Sequence, residues 1–277
     1  MEPSTQPLGE YLGEWLKGER LRLRPGAYDA RELHVRAYLR PRLGDVPLKS
    51  LTRPMIRSTY ADLRQSGRVR GGGGLSAKTV HNIHRTLSRA LDDAVEDRMI
   101  ARNPAKGAHS APESPVQGTW DAAQLRRFLD HVQDDRLFAL WRLAVTTGMR
   151  RGELVGLRWS DVNFARRHLT VTQQRAKGHG TVHAGPTKTR KSRRRVALDI
   201  ETVEALRAHR KQQDAKRESW GAAYQVHGLV FCMENGQPLH PDSITKRRIA
   251  KALGLPWAKL HGLRHSYATL LLEAGVI

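Results

Sequence analysis

The sequence is poor in cysteine and in long apolar runs. Its single cysteine, Cys232, cannot form a disulfide within the chain, and its place in the apolar run GLVFCM favours a core position over a nucleophile. No apolar run approaches the roughly 20 residues that span a bilayer, and the N-terminal residues contain no signal-peptide core. These absences predict a cytoplasmic protein with no membrane partner.

Acidic residues are also scarce relative to basic ones. The chain has 48 Lys and Arg against 27 Asp and Glu, which gives a formal net charge of +21. Such an excess is too large for an ordinary solvated surface and predicts a polyanionic partner, nucleic acid above all. With 277 residues, 39% of them hydrophobic, the chain is long enough for two domains with a core each.

The pattern of apolar residues divides the chain into two regions. Residues 1–104 are typical of four helices joined by loops, with Thr52 and Ser76 in N-cap positions and Pro54 in a first helical turn. Residues 105–118 are small, polar and rich in proline, which predicts a linker. Residues 119–277 alternate helical patterns with short β-branched runs, which predicts a small antiparallel sheet among helices. They also predict a possible hairpin through Asn235-Gly236 and a helix from Asp242 onwards.

The fourth predicted helix, SAKTVHNIHRTLSRALDDAVEDRMI, has two distinct faces. One face is apolar and is formed by Val80, Ile83, Leu87, Leu91 and Ala94. The other face is basic and is formed by Lys78, His81, Arg85 and Arg89. Two interpretations remain open for the basic face, a solvated surface or a set of phosphate contacts.

Three later segments contain residues suited to phosphate chemistry. In TTGMRRGELVGLRW, Arg150 follows a helix break and Glu153 lies three residues further on, where its carboxylate can orient the guanidinium. An ordinary ion pair at a helix start, with a free energy of about 0.2–0.5 kcal/mol, explains the same spacing. Arginine suits a phosphate because its planar fork donates two hydrogen bonds at once and keeps its charge.

The second segment, GPTKTRKSRRRVALD, is a basic run at a predicted strand turn. Lys188 is a candidate general acid for a leaving oxygen, and Arg190, Lys191 and Arg193 are candidate contacts to a DNA backbone. A purely electrostatic contact is the alternative for the whole run, although it fits Lys188 less well than its neighbours.

The third segment, KLHGLRHSYATLLLEAGVI, predicts a helix with His261 and Arg264 one turn apart on the same side. Its apolar stripe includes Tyr267, which predicts a core position for that tyrosine. His261 and His265 have the spacing of a zinc-protease helix, but that motif requires Glu where this chain has Gly262. We therefore predict no metal site here.

Taken in this order, the three segments resemble the catalytic domain of the tyrosine recombinases, the phage-integrase family. The resemblance implies a mainly α fold, with an all-α, four-helix, SAM-like core-type DNA-binding domain followed by an α+β catalytic domain. It implies cleavage and rejoining of double-stranded DNA at recombination sites by a homo-oligomer, with no metal or nucleotide cofactor. It assigns phosphate binding to Arg150, His261 and Arg264, the general acid to Lys188, and supporting roles to Glu153 and His265.

The main departure of the sequence from the family pattern concerns the nucleophile. In the family, the pattern continues into a Gly-His-x-Ser stretch and a nucleophilic tyrosine, and residues 1–277 contain neither. The sequence therefore predicts a chain truncated before its nucleophile and inactive on its own. The alternative is a non-catalytic DNA-binding remnant of a mobile-element integrase.

Overall fold

The chain forms two compact units, Met1–Pro115 and Val116–Ile277. The structure is a computed structural model that describes residues 4–109, 112, 119–178, 181–186, 193–244, 254 and 260–273, with side chains in the last helix at 262–267 and 269. Within these ranges, no helix has both the length and the apolar composition needed to cross a membrane.

The described part of the first unit is mainly helical. Its helices are α1 (Leu8–Arg22), α2 (Pro25–His34), α3 (Arg40–Leu43), α4 (Arg53–Ser66) and α5 (Ala77–Glu96). A π-helical turn over Val35–Leu39 joins α2 to α3, so the second predicted helix continues with a local change of winding.

The predicted starts of α4 and α5 are confirmed. Thr52 Oγ1 accepts a hydrogen bond from the Met55 backbone N–H at 3.5 Å, and Ser76 Oγ accepts one from Thr79 at 3.2 Å. Each cap satisfies an N–H group that has no partner within the first helical turn. Pro54 lies in the first turn of α4, as predicted.

The apolar face of α5 forms the centre of the first unit's core. The five residues predicted for this face are all fully buried: Val80, Ile83, Leu87, Leu91 and Ala94. Burying one Leu or Ile side chain contributes about 1.5–3 kcal/mol, so this face is a main source of stability for the unit. Ala105 and Ala108, which lie in the segment predicted as a linker, are buried in the same core.

The second unit combines helices with short strands. Its helices are α6 (Ala122–His131), α7 (Phe138–Thr147), α8 (Arg151–Gly156), α9 (Ile200–Trp220) and α10 (Leu260–Glu273). Its strands are β1 (Val162–Asn163), β2 (His168–Val171), β3 (Gln173–Gly178), β4 (Thr181–Pro186) and β5 (Arg194–Ala197). The predicted fold class, mainly α with an α+β second domain, is confirmed.

Among the described residues, the strands form two antiparallel sheets where the sequence predicts one. A three-stranded sheet has the order β1-β2-β5, and β3 pairs with β4 in a separate hairpin. The hairpin can lie close along α8 because two glycines of α8 place no side chain between the helix and β3. A Cβ on Gly152 would lie 2.6 Å from the Arg175 carbonyl oxygen, and one on Gly156 would lie 3.1 Å from Gln174 backbone atoms.

Two other parts of the second unit differ from the sequence pattern. The pattern did not single out α9, which buries only Thr202, Val203, Leu206 and His209 along its 21 residues. The hairpin predicted around Asn235-Gly236 is a tight turn with one bridge, between Cys232 and Pro238. The helix predicted from Asp242 onwards falls mainly on residues 245–253, which lie outside the described residues.

The junction between α7 and α10 depends on a glycine. Gly148 ends α7 with φ +57°, in the left-handed region. A Cβ at this position would lie 2.7 Å from Tyr267 Cδ1 and 3.5 Å from Arg264 Cγ. Only glycine satisfies both the backbone angle and the close approach of α10.

We predict that Gly148→Ala lowers the free energy of unfolding by about 1–3 kcal/mol, because alanine strains the backbone and clashes with Tyr267. Denaturant unfolding measures this difference. Gly185→Ala is the matched control, since a Cβ there meets nothing within 4 Å. Equal stability of the two variants would contradict the close approach of α10 to Gly148.

Candidate functional site

A buried carboxylate organises the start of α8. Glu153 is 1% exposed, and its Oε2 accepts a hydrogen bond from the Arg150 backbone N–H at 2.9 Å. Its Oε1 accepts another from Arg150 Nη1 at 2.8 Å. The Glu153 side chain therefore caps the helix and holds the guanidinium of its N-cap residue, Arg150. The ion pair between Arg150 and Glu153, which their three-residue spacing predicts, is therefore present.

A second arginine, from β5, binds the same carboxylate. Arg194 Nη1 donates to Glu153 Oε1 at 3.2 Å, and Arg194 Nη2 donates to Oε2 at 2.9 Å. Oε1 is thus shared by two guanidiniums, one local and one 41 residues away, and Oε2 is shared by the Arg150 backbone N–H and the Arg194 guanidinium. Sequence reasoning missed Arg194 as a site residue, although it lies in the basic run that begins at Lys188.

The environment of Glu153 keeps its carboxyl group ionised. Burial by itself favours the neutral acid, but hydrogen bonds from Arg194 and Arg150 outweigh this effect and lower the pKa of Glu153. A buried carboxylate is stable only when paired and hydrogen-bonded, and here both conditions are met. The negative charge therefore persists at neutral pH and fixes two positive groups beside it.

The third guanidinium comes from α10. Arg264 Nη1 donates a hydrogen bond to the Gly148 carbonyl oxygen at 3.0 Å, two residues before Arg150. Burial and then repulsion from Arg150 and Arg194 lower the pKa of Arg264, while Glu153 acts in the opposite direction. Arg264 therefore lies near two cations and one anion, a balance that favours the binding of an additional anion.

The orientation of α10 is set by a buried hydroxyl group. Ser266 is 1% exposed, accepts a hydrogen bond from the Trp120 backbone N–H at 2.7 Å and donates one to the Gly262 carbonyl at 3.1 Å. Leu263, on the same helix, is also buried. Leu263 and Ser266 thus fix which face of α10 is buried. Arg264, between them in the sequence, then reaches the Gly148 carbonyl.

The structure brings together three of the residues that the sequence singles out in the second unit: Arg150, Glu153 and Arg264. His265 is exposed on α10, and Arg193 is exposed next to β5. His261 lies within α10, but its side chain is outside the described residues. Lys188, Arg190 and Lys191 also lie outside the described residues, so their predicted roles remain predictions.

The basic face of α5 in the first unit is less uniform than the sequence suggests. Lys78 and Arg85 are exposed, whereas Arg89 forms an ion pair at 2.8 Å with Asp93 one turn later. His81 packs against other imidazole rings, which the sequence pattern did not reveal. Across the described ranges, no group of three or more His, Cys, Asp or Glu residues could hold a metal ion.

The chain belongs to the Phage integrase family, whose family model matches residues 119–276. This finding confirms the resemblance to the tyrosine recombinases for the second unit. The arginine cluster, formed by Arg150, Arg194 and Arg264, lies within the matched residues.

Curated relatives and solved structures agree with this assignment. The chain is 28% identical to a protein named "Tyrosine recombinase XerC-like" from Caldanaerobacter subterraneus subsp. tengcongensis, over 97% of this chain and 73% of that protein. For eight of the curated relatives that it matches, the chain spans between 55% and 76% of the relative's length. It is therefore similar to integrases and recombinases over most of its own length.

Two solved structures show the same fold. The Tn1549 transposon integrase in complex with transposon right end DNA has a TM-score of 0.78 at 22% identity, covering 97% of this chain and 87% of that one. A lambda integrase tetramer bound to a Holliday junction has a TM-score of 0.65 at 23% identity, covering 96% and 73%.

We predict that Glu153→Gln lowers the free energy of unfolding by about 1.5–3 kcal/mol at neutral pH, because the two arginines lose their shared charged acceptor. The folded-state pKa of Glu153 lies below its ordinary value of 4.5. The contribution of the Glu153 carboxylate to the free energy of unfolding is therefore fully present above pH 4.5. It is lost as the pH falls through the folded-state pKa.

Unfolding measured as a function of pH tests this prediction. The stability difference between the wild type and Glu153→Gln should shrink as the pH falls below 4.5. Glu218→Gln, at an exposed position on α9, is the control and should change stability little at any pH. A stability difference for Glu153→Gln that stays constant down to strongly acidic pH would contradict the ionised, arginine-bound carboxylate.

Proposed function

We propose that Arg150 and Arg264 together grip one phosphodiester of a DNA strand, and that the chain serves site-specific DNA cleavage and rejoining. The observation that carries this proposal is the shared anchoring of the two guanidiniums. Arg150 is held by Glu153, and Arg264 is held by the Gly148 carbonyl two residues before Arg150. Family membership supports the same reaction class.

The proposed chemistry uses the arginines for charge stabilisation. As the phosphorus gains a fifth bond, charge develops on its non-bridging oxygens, and preorganised guanidiniums stabilise it without further rearrangement. Each guanidinium can donate two hydrogen bonds to phosphate oxygens and keeps its charge at any physiological pH. Glu153 and Arg194 act by keeping Arg150 in place.

The remaining steps need groups beyond the described residues. In the proposed reaction, a tyrosine oxygen bonds to phosphorus while the bond to the 5′ oxygen breaks, and Lys188 protonates that leaving oxygen. His261 joins the two arginines at the phosphate, and His265 supports the site. The bond energy is kept in the phosphotyrosine link, so the reaction as proposed needs no metal or nucleotide cofactor.

We assign the nucleophile to none of the six tyrosines in residues 1–277. The first unit contains Tyr11, Tyr28, Tyr38 and Tyr60. In the second unit, the Tyr224 hydroxyl lies 3.5 Å from Cys232 Sγ, and Tyr267 is half-buried against Gly148. We propose that a tyrosine from outside these residues completes the site, and that residues 1–277 alone bind DNA without forming a covalent intermediate.

The basic residues of both units support DNA as the partner. The net charge of +21, the exposed Lys78 and Arg85 on α5 and the exposed Arg193 beside β5 all favour contacts with phosphates. The solved relatives with the same fold are described with transposon DNA and with a Holliday junction, the latter as a tetramer. We therefore propose a homo-oligomer on a double-stranded recombination site in the cytoplasm.

We predict a steep dependence of DNA affinity on salt. If six to ten phosphates are neutralised, the affinity should fall by about 10³–10⁵ between 50 and 200 mM salt, because bound counterions are released on association. Fluorescence anisotropy with a labelled duplex of arbitrary sequence measures this slope. An affinity that does not depend on salt would contradict phosphate-based binding.

We predict that Arg150→Ala and Arg264→Ala separate cleavage from binding. In a protein that carries the nucleophilic tyrosine, each change should slow covalent-intermediate formation by about 10²–10³, corresponding to about 2.7–4 kcal/mol of lost transition-state stabilisation. DNA affinity should change far less. Covalent trapping on a nicked duplex measures the rate of covalent-intermediate formation, and fluorescence anisotropy measures the DNA affinity.

The control for these variants is Arg166→Ala, at an exposed position outside the cluster. It removes the same charge and should leave the cleavage rate near that of the wild type. Equal losses of cleavage and binding in the Arg150 and Arg264 variants would contradict the proposed roles. Wild-type protein that binds DNA but gives no covalent product, even with the tyrosine present, would favour a non-catalytic remnant.

A further inference from the structure

Three histidines of the first unit form a cluster that the proposed reaction does not use. His81 and His84 lie on α5, and His109 lies on the segment that follows the α5 helix. The ring centroids are 5.5 Å apart for His84 and His109, 5.6 Å for His81 and His109, and 6.3 Å for His81 and His84. Tyr60, on α4, closes the cluster with edge contacts to His84 and His109.

Two ring nitrogens in this cluster have no hydrogen-bond partner among the described residues. His81 Nδ1 and His109 Nε2 are both buried and unpaired. By contrast, His84 Nδ1 lies 3.1 Å from the Tyr60 hydroxyl and is hydrogen-bonded to it. A buried polar atom without a partner is uncommon in folded proteins and calls for a ligand, a solvent molecule or a functional reason.

The groups around the cluster are mainly cationic. Charged and titratable groups on the surrounding elements are Arg57 and Tyr60 on α4, Lys78, Arg85, Arg89, Asp92 and Asp93 on α5, Lys106 after α5, Arg31 and His34 on α2, and Glu19 on α1. Each of the three carboxylates is already paired: Asp92 with Lys106 and Asn103, Asp93 with Arg89, and Glu19 with Arg31. An anion is therefore favoured here and a cation is not.

The cluster is accessible through a groove. An open groove of about 690 Å³ is lined by His81, His84 and Arg85 from α5 and by Arg31 and His34 from α2. The lining thus combines two members of the cluster with permanent cations. A groove of this kind can admit a phosphate group of a nucleic-acid backbone.

We propose that this histidine cluster is a proton-coupled contact for a DNA phosphate, uncharged in the free protein and protonated when the phosphate is bound. The proposal rests on the proposed function, since it takes DNA as the ligand. It adds a site at which binding depends on pH, distinct from the arginine cluster of the second unit.

Electrostatics explain why the proton and the phosphate arrive together. In the free protein, burial, followed by the neighbouring histidines and Lys106, lowers the pKa of His84 to about 4. Burial also lowers the pKa values of His81 and His109, with added repulsion from Lys78 and Arg85 at His81. A phosphate adds negative charge and accepts hydrogen bonds from ring N–H groups, so it favours the protonated form.

The test is the pH dependence of DNA affinity. Each proton taken up on binding raises the affinity by up to tenfold per pH unit as the pH falls. We expect such a rise for the wild type between about pH 8 and pH 6, and a flatter dependence for His81→Gln/His84→Gln/His109→Gln. Calorimetry in buffers of different ionisation enthalpy should show proton uptake for the wild type that the triple variant lacks.

Two controls make the result specific. His227→Gln removes an exposed histidine of the second unit and should retain the wild-type pH dependence. If circular dichroism shows that the triple variant is unfolded, His81→Gln alone replaces it, because His81 has no hydrogen-bond partner to lose among the described residues at its Nδ1 atom.

Three outcomes would overturn the inference. DNA binding with the same pH slope in the wild type and the histidine variant would refute the cluster's role while leaving the proposed function intact. Loss of the slope on addition of EDTA would indicate a metal site in place of a phosphate contact. An absence of DNA binding at every pH would refute the proposed function and this inference together.

Discussion

The arrangement of the second unit depends on one buried negative charge. Glu153 is almost fully removed from water in a chain that carries an excess of 21 positive charges. A carboxylate in that position must find donors, because an unpaired buried charge costs several kcal/mol. Its partners are the backbone N–H and guanidinium of Arg150 and the guanidinium of Arg194. The carboxylate thereby ties β5 to the start of α8.

Close packing around α8 makes this geometry possible. Gly148, two residues before Arg150, lets α10 pack closely against the end of α7. Gly152 and Gly156 let the β3–β4 hairpin lie against α8. A side chain at any of these positions would push the neighbouring element away. The hydrogen bond from Arg264 to the Gly148 carbonyl then brings the third guanidinium to the same region. Shape complementarity and charge thus act on the same few residues.

The parts of the site that depend on local sequence could be predicted. The spacing of Arg150 and Glu153 is a property of one helical turn, and the apolar face of α5 follows from helical periodicity. The contacts that the sequence did not predict join distant residues: Arg194 with Glu153, Ser266 with Trp120, and His109 with His81 and His84. No periodic pattern encodes such pairings, because they arise only when the units fold. Helix α9 was missed for a different reason, since most of its surface is polar and exposed.

The central claim is that one phosphate binds to Arg150 and Arg264 at the same time. A crystal structure of the chain with a DNA duplex tests it most directly. The account predicts a single phosphate with oxygens within about 2.7–3.2 Å of both guanidiniums, while Glu153 still holds Arg150 and Arg194. A DNA backbone that contacts the protein elsewhere, with Arg150 and Arg264 on different phosphates or on none, would contradict it.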